Sequence, residues 1–191
     1  MKIYKIGIIG CGGIAQKMAA TLEKMKGVER YAVASRNQEK AEAFANKWGF
    51  TKAYGSYEEL ASDPEVDLIY IATPHAMHYD NAHMCIEKGK PVLCEKAFTA
   101  NARQAEDLLA FAKEKGVFIT EAIWTRYMPL SLKIQELLKE GVIGTPYTLS
   151  ANLSYPISNK ERIIRPELAG GALLDIGVYT LNLSLIHISE P

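Results

Sequence analysis

Gly10, Gly12 and Ala15 stand at the spacing G-x-G-x-x-A, inside a run that reads Gly7-Ile-Ile-Gly-Cys-Gly-Gly-Ile-Ala15. Such residues at such a spacing hold a pyrophosphate by main-chain groups rather than side chains. Gly10 permits a tight turn, Gly12 lets the backbone come close to phosphate oxygens, and Ala15 is small enough for a helix to lie on a sheet. Gly13 and Ile14 open that helix, whose unpaired N–H groups and positive dipole end attract anions. A glycine-rich turn that merely joins a strand to a helix would use the same letters, so context has to separate the two. Ile3, Ile6, Ile8 and Ile9 precede the turn as a β-branched, strand-like run, and a second such run follows at Val28–Ala34. The segment reads as the start of a dinucleotide-binding unit.

The residue that closes the second strand of such a unit selects the dinucleotide. A carboxylate there binds the ribose hydroxyls of NAD, whereas an arginine accommodates the extra phosphate of NADP. Here the strand ends in Ser35-Arg36; Glu29 enters it and Glu39 lies on the following helix. Arg36 offers a planar fork to a phosphate and Ser35 a hydroxyl donor, so NADP is expected in preference to NAD. The plainer alternative is a solvated surface arginine.

These residues need elements to position them, and the pattern supplies an alternation of strands and helices. Glu39–Trp48 sets Ala41, Phe44, Ala45 and Trp48 on one helical face, stopped by Gly49. Asp67–Ala72 is a short apolar strand ending in Thr73-Pro74, Tyr79–Lys88 a helix closed by Gly89, and Pro91–Cys94 another strand. Asn101 and Gln104 resemble a capping pair for a helix whose Ala105, Leu108, Leu109 and Ala112 face the core, and Val117–Thr120 is a further strand. Repeated β-α units predict an α/β fold with a doubly wound parallel sheet over residues 1–122.

Beyond Glu121 the character changes. Leu130, Ile134, Leu137 and Leu138 mark an amphipathic helix ending at Gly141, Tyr147–Tyr155 alternates like a strand, and Gly170-Gly171 leads into a helix over Ala172–Leu185. Residues 123–191 read as the opening of an incomplete α+β domain, since one strand and two helices leave a face in water. The last residues, Ser184–Pro191, lose the preceding pattern; the expectation is a C-terminally truncated chain with a non-native tail.

Composition bounds the partners. The 191 residues carry 22 basic and 22 acidic side chains, so no electrostatic case exists for nucleic acid or membrane. No apolar run is read as approaching the ~20 residues of a membrane span, and no signal-peptide core precedes the first strand. Cys11, Cys85 and Cys94 are an odd count without metal-ligand spacing, which suits reduced thiols in a cytoplasm. His75 and His78, even with Asp80 nearby, have no third ligand at an obvious spacing, so no metal is expected.

Four separated segments together resemble the Gfo/Idh/MocA oxidoreductase family: Gly10-Cys-Gly-Gly-Ile-Ala15, Ala72-Thr-Pro-His75 with His78, Cys94-Glu-Lys-Ala97, and Gly170-Gly-Ala-Leu-Leu-Asp-Ile-Gly-Val-Tyr179. Glu121-Ala-Ile-Trp-Thr-Arg-Tyr127 is similar to the branch of dimeric dihydrodiol dehydrogenases and NADP-dependent D-xylose dehydrogenases. The resemblance implies a Rossmann domain followed by a domain that binds substrate and makes dimer contacts. It also implies a catalytic lysine at Lys96 and a D-x-x-x-Y pair at Asp175 and Tyr179. Glu95, Thr73, Pro74 and His78 fall with the cofactor-binding segments. Ala97 departs from the family's proline, and the rest of the substrate domain is missing.

The chemistry asks for these residue types. Oxidising a secondary alcohol by hydride transfer requires removal of the hydroxyl proton, and a tyrosine with an ordinary pKa near ~10 is too weak a base at neutral pH. A lysine ammonium nearby favours the phenolate. Lys96 follows a strand at the ligand-binding edge of the sheet, and Asp175 and Tyr179 are four apart on one helical face, so Lys96 and Tyr179 are expected to converge on a substrate oxygen, with Asp175 hydrogen-bonding substrate or orienting the pair. Asp175 could instead simply cap its helix. Trp124 and Arg126 are candidate substrate-lining residues, with domain packing the alternative for Trp124, and His78 reads as a structural hydrogen-bonding group. The expected activity is hydride transfer between NADP and a sugar or cyclic diol, by a homodimer or higher oligomer. A non-catalytic dinucleotide sensor and an inactive fragment of such an enzyme are the rival readings.

Overall fold

Short β-branched runs separated by helical stretches can bury both faces of a sheet only if the strands run parallel. The computed structural model, which describes Lys2–Leu185, has this arrangement. Its strands are β1 (Tyr4–Ile9), β2 (Val28–Ala34), β3 (Lys52–Tyr54), β4 (Leu68–Ile71), β5 (Val92–Cys94) and β6 (Ile119–Glu121). The helices between them are α1 (Gly13–Leu22), α2 (Gln38–Trp48), α3 (Tyr57–Ser62), α4 (His78–Glu87) and α5 (Ala102–Lys115). All neighbouring strands pair parallel in the order β3-β2-β1-β4-β5-β6. Strand order reverses between β1 and β4, and such a switch point opens a crevice at the carboxyl edge of a doubly wound sheet.

Register makes that edge a single row. Ile9 is paired with Ala34 on one side and Ile71 on the other; Ile71 is paired with Cys94, and Cys94 with Glu121. Main-chain bonds carry the row one residue further, from Gly10 N–H to Ala34 O (2.9 Å), Ala72 N–H to Ile9 O (2.8 Å) and Glu95 N–H to Ile71 O (3.0 Å). The residues following β1, β2, β4 and β5 therefore emerge side by side.

Local signals explain the helices. Asn37 caps α2 by accepting from Lys40 N–H, and Gly49 ends it with φ 67°. Asn101 accepts from Gln104 N–H (3.1 Å) while Gln104 Oε1 accepts from Ala100 N–H (3.1 Å), the reciprocal cap expected for α5. Leu108 and Ala112 of α5 are buried, but Leu109 is exposed, contrary to expectation: one step around the helix turns it a hundred or so degrees from Leu108. Ile3 likewise lies outside β1 and is exposed. Strand β3 and helix α3 carry too short a pattern to have been foreseen. Leu60 of α3 is buried so close to the sheet that a Cβ on Gly7 would stand 2.9 Å from it.

The chain divides into two compact units, one ending at Glu121 and one beginning at Ala122. The second contains α6 (Pro129–Lys139), α7 (Glu161–Ile164) and α8 (Val178–Leu185). The expected strand over Tyr147–Tyr155 does not form, because no other strand of this unit pairs with it among the described residues and a lone strand leaves its N–H and C=O groups to water. The expected helix over Ala172–Leu185 is also two segments, a π-helical turn at Leu173–Gly177 followed by α8. Pro166–Leu185, with mean hydropathy 1.3, is by length and composition as apolar as a membrane span, which the sequence reading did not anticipate. It is no uninterrupted helix: Ala169 has φ 52° and Gly171 φ 105°. Most of the unusual tail, residues 186–191, lies outside the described residues.

Candidate functional site

The glycine loop does three separate things. Gly10 has φ 99°, and a Cβ there would come within 2.8 Å of Ala72 O, so β1 and β4 can lie this close only with glycine between them. Gly12 is the N-cap of α1, contributes no side-chain hydrogen bond, and has nothing within 4 Å of where its Cβ would be. Gly13 is equally open, so side chains at both positions would project into space rather than into the fold. Ala15 is fully buried and Ile14 partly exposed, which sets the first turn of α1 on the sheet with its N–H groups outward. That turn contains no acidic residue. The result is a cradle of main-chain donors at a helix N-terminus, which fits a dinucleotide pyrophosphate.

Beside it, Ser35 is buried at the end of β2 and Arg36 is exposed. Two residues not singled out from the sequence stand here. Burial raises the Tyr57 hydroxyl above its ordinary range, opposed by the charge of Arg36, so the phenol and the guanidinium are neighbours. Burial also raises the half-buried Cys11 thiol, opposed by the charge of Lys40 and a bond with Ser35. Arg36 and Lys40 thus bring two cations to the place where an NAD-selective unit would have a carboxylate. The signal for Lys40 was legible: Asn37 starts the helix, so Arg36 and Lys40 flank the cap.

Across the switch point, Thr73 is buried, with its hydroxyl accepting from Asn81 Nδ2 (3.1 Å). His78, wholly buried, places Nε2 2.9 Å from Thr73 O and Nδ1 2.8 Å from Ala97 O. Pro74 starts the turn at φ −59° and leads into α4. Burial holds the His78 pKa below its ordinary value, offset by the two carbonyl contacts.

Glu95 and Lys96 follow β5. The Glu95 side chain turns inward, where it accepts from the Tyr70 hydroxyl and, at 3.2 Å, from Lys96 N–H. Burial pushes its carboxyl upward, opposed by the Tyr70 bond. Glu95 therefore braces the start of the Lys96 loop, and Glu121 braces its end by accepting from Phe98 N–H at 2.9 Å. The Lys96–Ala97 peptide is cis.

In the second unit the Gly170-Gly171 pair has a packing reason. A Cβ on Gly170 would lie 2.5 Å from Ile163 O, and Gly171 N–H donates to that same carbonyl (2.8 Å). This contact holds α7 against the π turn, where Arg162 pairs with the buried carboxylate of Asp175. Tyr179, on α8, has a different partner: its phenol oxygen accepts from Trp124 Nε1 at 3.0 Å, with the rings edge-on at 6.2 Å. Asp175 and Tyr179 thus do not share one α-helical face, because the π turn intervenes. Arg126 lies exposed in the same 3-10 turn as Trp124. Among the described residues, no three His, Cys, Asp or Glu side chains stand together as a metal site.

Known proteins give this arrangement a context. The family model described as an oxidoreductase family with an NAD-binding Rossmann fold, Gfo/Idh/MocA, matches residues 4–122, and the model of that family's C-terminal domain matches residues 131–191. D-xylose 1-dehydrogenase (NADP(+)) of Hypocrea jecorina is 44% identical over 93% of this chain and 51% of its own length. Trans-1,2-dihydrobenzene-1,2-diol dehydrogenase of Xenopus tropicalis is 41% identical over 93% of this chain and 54% of its own. The crystal structure of a 3-ketoreductase from Actinomadura kijaniata in complex with NADP superposes with a TM-score of 0.85 at 30% identity, covering 97% of this chain and 56% of that one. The chain spans about half the length of the curated relatives it matches. With its glycine cradle, its six-stranded parallel sheet and the two matched domains, this chain belongs to the Gfo/Idh/MocA oxidoreductase family.

Proposed function

We propose that the complete protein is an NADP-dependent oxidoreductase that moves a hydride between the cofactor and a secondary alcohol of a sugar or a cyclic diol. The observation that carries the reading is the pair of cations, Arg36 and Lys40, beside the main-chain cradle of Gly10–Ala15. The names of its relatives, a D-xylose 1-dehydrogenase (NADP(+)) and dihydrodiol dehydrogenases, support the cofactor and the substrate class.

In this reading Gly12, Gly13 and Ile14 bind the pyrophosphate through main-chain N–H groups, and Ser35, Arg36 and Lys40 take the additional phosphate. When bound, the nicotinamide ring accepts or returns the hydride. The main chain of Thr73 and Pro74 lies along the nicotinamide half, kept in place by His78. Tyr179 removes the hydroxyl proton during oxidation and returns it during reduction. Lys96 favours the phenolate by its charge. Asp175, held by Arg162, positions these groups, and Trp124 and Arg126 line the substrate side. The unit up to Glu121 is assigned the cofactor, the remainder substrate binding and self-association, in a cytoplasmic enzyme.

The test is a panel of sugars and diols assayed for NADPH formation with the complete protein, together with Tyr179→Phe. Loss of a general acid–base lowers turnover by about 10²–10⁴-fold while leaving NADP binding intact. Undiminished turnover in the phenylalanine variant would remove Tyr179 from proton transfer. Binding of NADP without turnover of any substrate would favour a sensor.

A further inference from the structure

Tyr179 is bonded by a partner that can only donate. The indole N–H of Trp124 is a donor and has no lone pair to accept with. At 3.0 Å from the phenol oxygen it can bond Tyr179 whether that oxygen is protonated or not, but it can never receive the phenol's proton. The two rings meet edge-on, at 6.2 Å and 70°, so the bond comes with a packed aromatic contact that fixes the direction of approach. Trp124 is brought there by a 3-10 turn, Trp124–Tyr127, that packs on α8 across a separation of 55 residues.

From this geometry we infer that Trp124 is a positioning residue for the acid–base step, its indole N–H holding the Tyr179 oxygen and favouring the phenolate over the phenol. The inference rests on the assignment of proton transfer to Tyr179. It departs from the simpler assignment of Trp124 to the substrate wall, because it places the effect on the base and not on the substrate.

Two physical consequences follow from donor-only character. A hydrogen bond to the ionised form of an acid stabilises that form, so the phenolate is more accessible at neutral pH with the indole present than without it. One lone pair of the oxygen is also engaged by the indole, which leaves the phenol hydrogen to point elsewhere, toward whatever oxygen exchanges the proton. The π turn carries Asp175, whose carboxylate is paired with Arg162, and the 3-10 turn carries Arg126 and the phenol Tyr127. All of these, with Lys96, are retained in the test.

The experiment is Trp124→Phe in the complete protein, which keeps an aromatic ring and deletes only the donor. Trp124 is 57% exposed, so the substitution leaves the fold in place, checked by its far-ultraviolet dichroism. The first readout is the pH dependence of kcat for alcohol oxidation. The expected result is an ascending limb displaced upward by about half to one pH unit, with kcat at neutral pH lowered about three- to tenfold, recovery at high pH, and KM changed less than twofold. The second readout needs no substrate or cofactor: tyrosinate absorbance on alkaline titration, taken as the difference between proteins with Tyr179 and with Tyr179→Phe. Trp124→Phe should raise the midpoint of that difference signal. A rise in KM with an unmoved pH profile, or a uniform fall in kcat with an unmoved midpoint, would overturn the inference. Failure of the underlying assignment reads differently: Tyr179→Phe would then turn over normally, while the titration still decides whether Trp124 acts on the phenol.

Discussion

The imidazole of His78 holds the main chain of Ala97, its Nδ1 lying 2.8 Å from the Ala97 carbonyl oxygen, while its other nitrogen lies 2.9 Å from the carbonyl of Thr73. One wholly buried side chain therefore joins the loop after β4 to the loop after β5, the two segments on either side of the proposed nicotinamide position. Its removal takes away the one N–H that a neutral imidazole donates to these carbonyls and leaves a cavity of about a ring. His78→Ala is expected to lose about 2–4 kcal/mol of stability by urea denaturation and to bind NADP more weakly. Burial lowers the folded-state pKa, so protonation favours unfolding: the His78 contribution is full above about pH 6.5 and declines as pH falls through the lowered value. Equal stability of variant and parent across that range would show that the two loops are held otherwise.

Cofactor choice is expected to follow the cations at the end of β2. Arg36→Ala removes a guanidinium that can make charge-assisted bonds to a phosphate, each worth about 1.5–3 kcal/mol. Affinity for NADP should fall about 10–100-fold with that for NAD little changed, measured by quenching of protein fluorescence. Lys40→Ala should act in the same direction by a smaller factor, because a lysine meets a phosphate as a point charge. Parallel losses for NAD and NADP would mean that these cations steer both cofactors alike and select neither.

Acid stability provides a prediction remote from the chemistry. Asp63 caps the end of α3 and accepts from Lys52 Nζ (2.8 Å), the Tyr54 hydroxyl (2.6 Å) and Glu65 N–H (3.0 Å). Burial alone would raise its pKa, but these bonds outweigh it and bring the carboxyl from an ordinary 3.8 to about 2. A lowered folded-state value gives stability that is present above about pH 4 and lost as pH falls toward 2, of about 2 kcal/mol. Asp63→Asn should therefore be less stable at neutral pH and show a flatter decline between pH 4 and 2. An unaltered acid limb in thermal melts would transfer that sensitivity to another carboxylate.

What could be read in advance depended on how local the cause was. The glycine turn, the β2 terminus at Ser35-Arg36, the Asn101 cap and the Gly49 stop are each set by a few adjacent residues, and all stand where the pattern put them. Tyr57 was missed because its connection to Arg36 crosses between elements, whereas Lys40 was overlooked although the Asn37 cap places it one turn after Arg36.

 Glu95 turns inward because Tyr70, 25 positions away, offers it a hydroxyl. The failed strand at Tyr147–Tyr155 and the exposed Leu109 are errors of another sort: period and composition were right for an element, but pairing and rotation are decided by neighbours. The division of Asp175 and Tyr179 between a π turn and α8 was equally hidden, since a four-residue spacing looks the same in either.

That division leads to the last prediction, in which stability and function should separate. Asp175 is 3% exposed and its carboxylate is paired with Arg162, which reaches it because Gly170 lets α7 approach the π turn. Removing one member of a buried pair leaves the other uncompensated, whereas replacing both by apolar groups of similar size is often neutral or stabilising. Arg162 is 47% exposed, so the cost of Arg162→Met is discounted from the fully buried case to about 2 kcal/mol. Combining it with Asp175→Leu should return most of that stability, a coupling that a double-mutant cycle in urea would measure. Turnover should not return with it if Asp175 positions the reacting groups, because the paired carboxylate is then gone. A double variant that regained both stability and turnover would reduce Asp175 and Arg162 to a purely structural pair.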